Sequence, residues 1–76
     1  PFNPSTLIRF ALPEAADVNL AVYDLTGRLI TVLVSGALGA GEHEVAFRAE
    51  ELPSGVYLYR LKAGDYEQTR QMILTK

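Results

Sequence analysis

The residues best suited to chemistry are the single histidine of the chain and the two glutamates that flank it. A histidine titrates near neutral pH, so Glu42, His43 and Glu44 are the natural candidates for acid–base catalysis. The surrounding segment alternates like a β-strand, however, and successive side chains of a strand point to opposite faces. Neither glutamate can therefore orient the imidazole ring, which shares its face with Val45 and Phe47. The pattern predicts a histidine at the edge of a core rather than a catalytic base.

The remaining reactive groups are dispersed over turns. The serines Ser5, Ser35 and Ser54 lie where a hydroxyl commonly bonds the local backbone, and none has the surroundings of a nucleophile elbow. The acidic turn residues lack EF-hand spacing; they are Glu14, Asp17, Asp24, Glu50, Glu51 and Asp65. We expect them to be solvated, and a calcium site assembled from two loops is the alternative. The glycines do not lead from a strand into a helix, so we expect no phosphate loop. Because the other reactive groups are dispersed, we also expect no catalytic residue, metal or cofactor.

Composition narrows the class of protein further. The chain has 76 residues, a formal net charge of −2 and no cysteine, which suits one globular domain without disulfides or thiolate zinc sites. The negative charge argues against a nucleic-acid partner, which requires a basic face. The longest strongly apolar run, residues 29–34, is too short to cross a bilayer. Because the chain begins at Pro1 without a methionine, we expect it to be a processed product or an excised fragment of a longer protein.

Glycine and proline divide the chain into segments that must position these residues. Alternating apolar positions predict six strands, at residues 5–12, 18–24, 28–34, 42–48, 56–62 and 66–75, with a seventh if the crossover at 49–55 holds one. The third segment is apolar on both faces, so it either lies between two layers or carries a bulge. The glycine-rich residues 35–41 predict a flexible connection. Strand beginnings at this spacing indicate an antiparallel β-sandwich.

Two local motifs fit this architecture. Asp24 and Gly27 occupy the first and last positions expected of a type I turn that closes a hairpin. Tyr57 follows a tight crossover containing Leu52 and Gly55, which predicts a tyrosine corner whose hydroxyl bonds the backbone a few residues upstream. On this basis Tyr57, Tyr59 and Leu61 should point inward.

The aromatic side chains divide into a buried and an exposed group. Those expected in the core are Phe10, Phe47, Tyr57 and Tyr59. Phe2, Tyr23 and Tyr66 remain as exposed rings that a sugar could stack on, although we expect them to cover strand surfaces.

The order of these motifs resembles the C-terminal sorting domains of the bacterial type IX secretion system. The segments that carry the resemblance are PFNPSTLIRF (1–10), LP (12–13), VYD (22–24), GR (27–28), AGEH (40–43), LPSGVY (52–57), RL (60–61), AG (63–64), MIL (72–74) and the terminal Lys76. They span essentially the whole chain. A related resemblance exists to the Ig-like domain of flagellar hook-capping proteins, but the Asn-Pro opening and the terminal lysine favour the sorting domain.

The resemblance implies an Ig-like, or fibronectin III-like, β-sandwich of six to seven strands that forms one domain over residues 1–76. It implies a non-catalytic role in directing an N-terminal cargo through the periplasm to the cell surface or outside. The implied partners are the outer-membrane secretion machinery and a sortase-like peptidase that cuts upstream of Pro1, and we expect a monomer. The residues implied in receptor recognition are Gly55, Tyr57, Gly64, Thr69, Met72, Leu74 and Lys76. The alternative function is an Ig-like accessory module, either carbohydrate-binding or a flagellar cap-type assembly domain.

Overall fold

Six strands account for most of the protein. The computed structural model describes residues 5–48 and 52–74, and no helix occurs among them. The strands are β1 (Ser5–Leu12), β2 (Ala16–Tyr23), β3 (Leu29–Leu38), β4 (Gly41–Arg48), β5 (Gly55–Ala63) and β6 (Tyr66–Leu74). These bounds confirm the predicted strands to within a few residues. Part of the crossover proposed to hold a seventh strand, residues 49–51, lies outside the described residues.

The strands form two antiparallel sheets of unequal size. The smaller sheet has the order β1-β4, and the larger has the order β3-β2-β5-β6. All four strand pairings are antiparallel. The arrangement is the all-β antiparallel sandwich that the spacing predicted, with the smaller sheet packed on part of the larger one.

The core lies between the sheets and is centred on β2. Val18, Leu20 and Val22 are 2%, 0% and 0% exposed because β2 has a neighbouring strand on both sides and the smaller sheet above it. The other buried core residues are Ile8, Leu12, Phe47, Tyr57, Leu61, Ala63 and Leu74. Phe10 and Tyr59 are partly buried against this cluster, so the predicted core aromatics are confirmed. Among the described residues, every buried side-chain nitrogen or oxygen has a hydrogen-bond partner.

Strand β3 resolves one alternative that the sequence left open. Its register against β2 shifts twice, so that Leu33 and Ile30 have no partner of their own on β2. Each extra residue is a β-bulge, and a bulge changes which face the following side chains occupy. Apolar residues at both odd and even positions can thus be accommodated in β3. This strand lies at the edge of the sheet, and Leu29 and Val32 are 52% and 45% exposed.

The prediction of a flexible connection at residues 35–41 is wrong for most of its length. Strand β3 continues to Leu38, with Gly36 opposite Val18 and Leu38 opposite Ala16. The glycine content indicated a flexible connection, but β2 begins earlier than predicted and offers backbone partners to residues 36–38. Gly36 has a φ of +147°, a conformation that side-chain-bearing residues rarely adopt, so glycine extends the pairing here instead of ending it.

Candidate functional site

His43 has a structural environment, as its position in the strand predicted. Its ring is half-buried and stacks on Phe10 across the smaller sheet, with ring centroids 5.4 Å apart. Its Nε2 lies 2.7 Å from the carbonyl oxygen of Gly39, and since a carbonyl can only accept, Nε2 carries the proton. Glu44 is exposed on the other face and pairs with Arg9 at 2.8 Å. The imidazole therefore stabilises the turn between β3 and β4 through this hydrogen bond. It is not aligned with a carboxylate for catalysis.

Asp24 is the most engaged carboxylate that the structure describes. Its Oδ1 accepts hydrogen bonds from the Thr26 hydroxyl at 2.6 Å, the Thr26 amide at 2.9 Å and the Arg28 amide at 3.0 Å. These bonds, with the Thr26 hydroxyl contributing most, lower the pKa of Asp24 below its ordinary value. The amide of Gly27 donates to the Asp24 carbonyl at 3.0 Å, which confirms the predicted turn. Asp24 thus organises the hairpin.

The acidic residues that the structure describes form no cluster elsewhere. Within residues 5–48 and 52–74, no group of three or more histidine, cysteine, aspartate or glutamate side chains could hold a metal ion. Glu50 and Glu51, which the sequence placed on the crossover, lie outside the described residues.

Tyr57 forms the predicted tyrosine corner at the start of β5. Its ring is 7% exposed, and its hydroxyl donates to the carbonyl oxygen of Pro53 at 2.7 Å. The bond satisfies a polar group that would otherwise be costly to bury. It also holds Pro53, which precedes β5, against the end of the core.

The two candidate glycines lie at opposite ends of β5. Gly55 opens the strand and faces Leu74 of β6. Gly64 occupies the turn between β5 and β6 with a φ of +61°, the left-handed region that glycine adopts without strain. Its amide donates to the carbonyl oxygen of Asp17 at 3.3 Å, so this turn is tied to the start of β2.

Strand β6 carries the other candidate recognition residues, and the structure places them differently. It is an edge strand, since within the described residues it pairs only with β5. Thr69 is exposed on the outer face opposite Arg60, Met72 is half-buried opposite Tyr57, and Leu74 is 6% exposed. Lys76 lies outside the described residues. A partner can reach the side chain of Thr69, but Leu74 is available to it mainly through its backbone.

Tyr23 and Tyr66, the two of the expected exposed aromatic residues that the structure describes, lie on opposite faces of the larger sheet and form no common platform. Tyr23 is half-buried, with the guanidinium carbon of Arg60 5.2 Å from its ring centroid, a cation–π contact. Tyr66 is 51% exposed and lies on the inner face of β6. Phe2 lies outside the described residues. Tyr23 thus covers a strand surface, as expected.

Sequence reasoning missed a polar ladder on the inner face of β6. The Gln68 amide lies 2.7 Å from the Tyr66 hydroxyl. With its oxygen directed at Arg70, it accepts from that guanidinium at 2.8 and 2.9 Å. Alternation in β6 places Tyr66, Gln68 and Arg70 on the same face as Met72 and Leu74. The change from polar to apolar residues along one face was the available signal that only half of the strand is covered.

Comparison with known families identifies the role of this fold. The part of the chain that the structure describes contains no helix long and apolar enough to cross a membrane. No curated protein and no solved structure shows significant similarity to the chain. The family model described as "Secretion system C-terminal sorting domain" matches residues 1–75.

Membership has direct consequences for function. A domain of this family is the C-terminal signal that directs an attached cargo through type IX secretion, via the periplasm, to the cell surface or outside. Sorting tails of this kind are non-catalytic in general. No observation on the described residues favours the carbohydrate-binding or cap-type alternatives. The chain belongs to the secretion system C-terminal sorting domain family of the type IX system.

Proposed function

We propose that this domain is a folded, non-catalytic address that an outer-membrane receptor of the type IX machinery recognises through strand β6. The observation that carries the proposal is the position of β6 at the edge of the larger sheet. An edge strand offers unpaired backbone amides and carbonyls, to which a strand of a partner can add. A sortase-like peptidase then separates the domain from its cargo upstream of Pro1, and the domain acts as a monomer.

The proposed recognition residues contribute in two ways. Gly55, Tyr57, Met72 and Leu74 hold the end of β6 in place, because they pair with one another across β5 and β6. Gly64 sets the turn that begins β6. Thr69, whose side chain is exposed, contacts the receptor directly, and Lys76, which lies outside the described residues, is assigned the same role from the family resemblance. A receptor would therefore read the backbone and outer face of a strand whose inner face is anchored in the core.

A transplant experiment tests the address. The 76-residue domain is fused behind a secreted fluorescent cargo in a bacterium with a type IX system, and fluorescence is measured at the surface and in the medium. We expect export that disappears in a strain lacking the translocon. Cargo retained in the periplasm with the domain folded would contradict the proposal.

A truncation tests the role of β6. Deletion of residues 70–76 should abolish export because it removes the end of the edge strand. This deletion also removes the core residue Leu74, so Leu74→Ala in the full-length domain serves as the matched control. We expect the control to export at a temperature where it remains folded. Unchanged export of the truncated form would exclude β6 as the recognition element.

A further inference from the structure

A groove separates β1 from the inner face of β6. It has a volume of about 220 Å³. The residues that line it are Ile8, Arg9, Phe10 and Ala11 of β1, Tyr59 and Leu61 of β5, and Tyr66, Gln68 and Arg70 of β6. The groove thus combines a strand edge, an apolar floor and a polar far wall.

The groove lies where the smaller sheet lacks a strand. Among the described residues β1 pairs only with β4, so its edge toward β6 is unpaired. Neighbouring strands lie about 4.8 Å apart. A third strand beside β1 would therefore extend the smaller sheet over the exposed half of β6. Tyr66 is 51% exposed there, Gln68 is half-buried and Arg70 is exposed.

The charge of the groove differs from that of the other surface depressions. Its charged lining residues are Arg9 and Arg70, without a carboxylate, although the chain has a net charge of −2. Three other depressions each include at least one carboxylate, such as Asp17, Asp65 or Glu42. Arg9 is paired with Glu44. Arg70 forms no ion pair with any described residue. Its Nε and one terminal nitrogen donate to Gln68, so its charge is not neutralised and the other side of the guanidinium is available to a ligand.

Building on the proposed function, we propose that the groove receives an extended segment of a secretion-machinery protein that carries an inward-facing carboxylate. The segment adds to the free edge of β1 as a third strand, with main-chain hydrogen bonds to β1. Its apolar side chains contact Tyr59 and Leu61, and its carboxylate pairs with the Arg70 guanidinium on the side that Gln68 does not occupy. A second copy that docked through the same edge would bring another cationic groove and no carboxylate.

The charge of Arg70 could also serve a second role, and the test must distinguish that role from ligand binding. A charged side chain on the inner face of an edge strand can protect that edge from unwanted pairing with other chains. If this were its whole role, loss of the charge would cause self-association and leave export unchanged. If Arg70 binds a carboxylate, reversal of its charge should impair export while the domain stays monomeric.

Charge variants in the export assay provide the first test. The variants are Arg70→Glu, Arg70→Lys and the matched control Arg48→Glu, which alters an exposed arginine at the end of β4. We expect Arg70→Glu to reduce surface fluorescence about tenfold or more, because like charges meet in the groove. Arg70→Lys should retain most of the export, and Arg48→Glu should export like the original domain. All variants should melt within a few degrees of the original domain, because both arginines are exposed.

The outcomes distinguish this inference from the function on which it rests. If the original domain shows translocon-dependent export and Arg70→Glu is exported equally well, docking of a partner segment in the groove is excluded. The sorting function would remain supported. Failure of the original domain to export would remove the sorting role, and the inference with it. Self-association of Arg70→Glu with normal export would assign Arg70 to edge protection and overturn the inference.

Hydrogen exchange locates the contact independently of export. The probe is the detergent-solubilised translocon, added to the purified 76-residue domain. We expect the amides of residues 7–11 in β1 that point away from β4 to gain protection in the original domain and to remain unprotected in Arg70→Glu. Protection confined to β3, β4 or β6 would overturn the inference. Concentration-dependent protection of β1 without the translocon would identify a second copy as the occupant and would also overturn it.

Discussion

The two halves of the inner face of β6 differ although they belong to one strand. Met72 and Leu74 are half-buried and 6% exposed, and they pack on the core cluster that includes Ile8 of the smaller sheet. Tyr66 and Arg70, on the same face, are exposed. Both halves pair with β5 in one unbroken register, so backbone hydrogen bonding does not distinguish them. The comparison shows that strand pairing and burial are set separately, and that burial depends on what the opposite sheet covers.

The largest effect should come from truncating the covered half. Leu74→Ala should lower the free energy of unfolding by about 2–4 kcal/mol, because it removes buried apolar contacts and leaves a cavity. Arg70→Ala is the matched change in the uncovered half and should alter stability by less than about 0.5 kcal/mol. Chemical denaturation of both variants measures the difference. Similar losses would contradict the division of β6 into two halves.

A smaller effect should come from the hydroxyl that anchors the covered half. Tyr57 lies opposite Met72, and Tyr57→Phe should cost about 1–2 kcal/mol because the buried bond to Pro53 is lost. Tyr66→Phe removes a hydroxyl bonded to Gln68 at the surface and should cost less than about 0.5 kcal/mol. Thermal melting of the two variants gives the comparison. An unaltered melting temperature for Tyr57→Phe would exclude the tyrosine corner.

Lowering the pH should destabilise the turn that Asp24 organises, which lies outside β6. The difference between the two halves of β6 should therefore not change. Because the pKa of Asp24 is lower in the folded state, its ionised form contributes stability above its ordinary pKa of 3.8. That contribution should be lost as the pH falls through 3.8 toward the lower folded-state pKa. Thermal melting from neutral to acidic pH measures this effect. The difference in melting temperature between the original domain and Asp24→Asn should shrink as the pH falls. A constant advantage would mean that the Asp24 charge does not matter.

The smallest effect should come from the outer face of the uncovered half. Lys62 and Glu67 lie 3.8 Å apart and are both more than half exposed. Exposed pairs of this kind contribute little, so Glu67→Gln should cost less than about 0.5 kcal/mol, and salt should reduce the difference. Denaturation at low and high ionic strength measures it. A loss comparable to that of Leu74→Ala would show that the surface of this half contributes more than its exposure suggests.

Much of the fold could be predicted because it depends on local patterns. Alternation in β1, β2 and β4 identified their inward residues, and the Asp24 turn and the Tyr57 corner followed from residue types at short spacing. The prediction for residues 35–41 was wrong because the cost of glycine in a strand is offset here by pairing with β2. Gly36 has Val18 of β2 opposite it, and that pairing is not visible in the segment itself.

The sequence alone determined that this chain is an all-β domain with a tyrosine corner, and its motif order identified the sorting family. These properties arise from neighbours a few residues apart, whose backbone and side-chain preferences act locally. The tertiary structure decided which strand edges stay unpaired and that Arg70 faces a groove beside β1 instead of a covered core. Such properties depend on how far the smaller sheet extends over the larger one, which long-range packing sets.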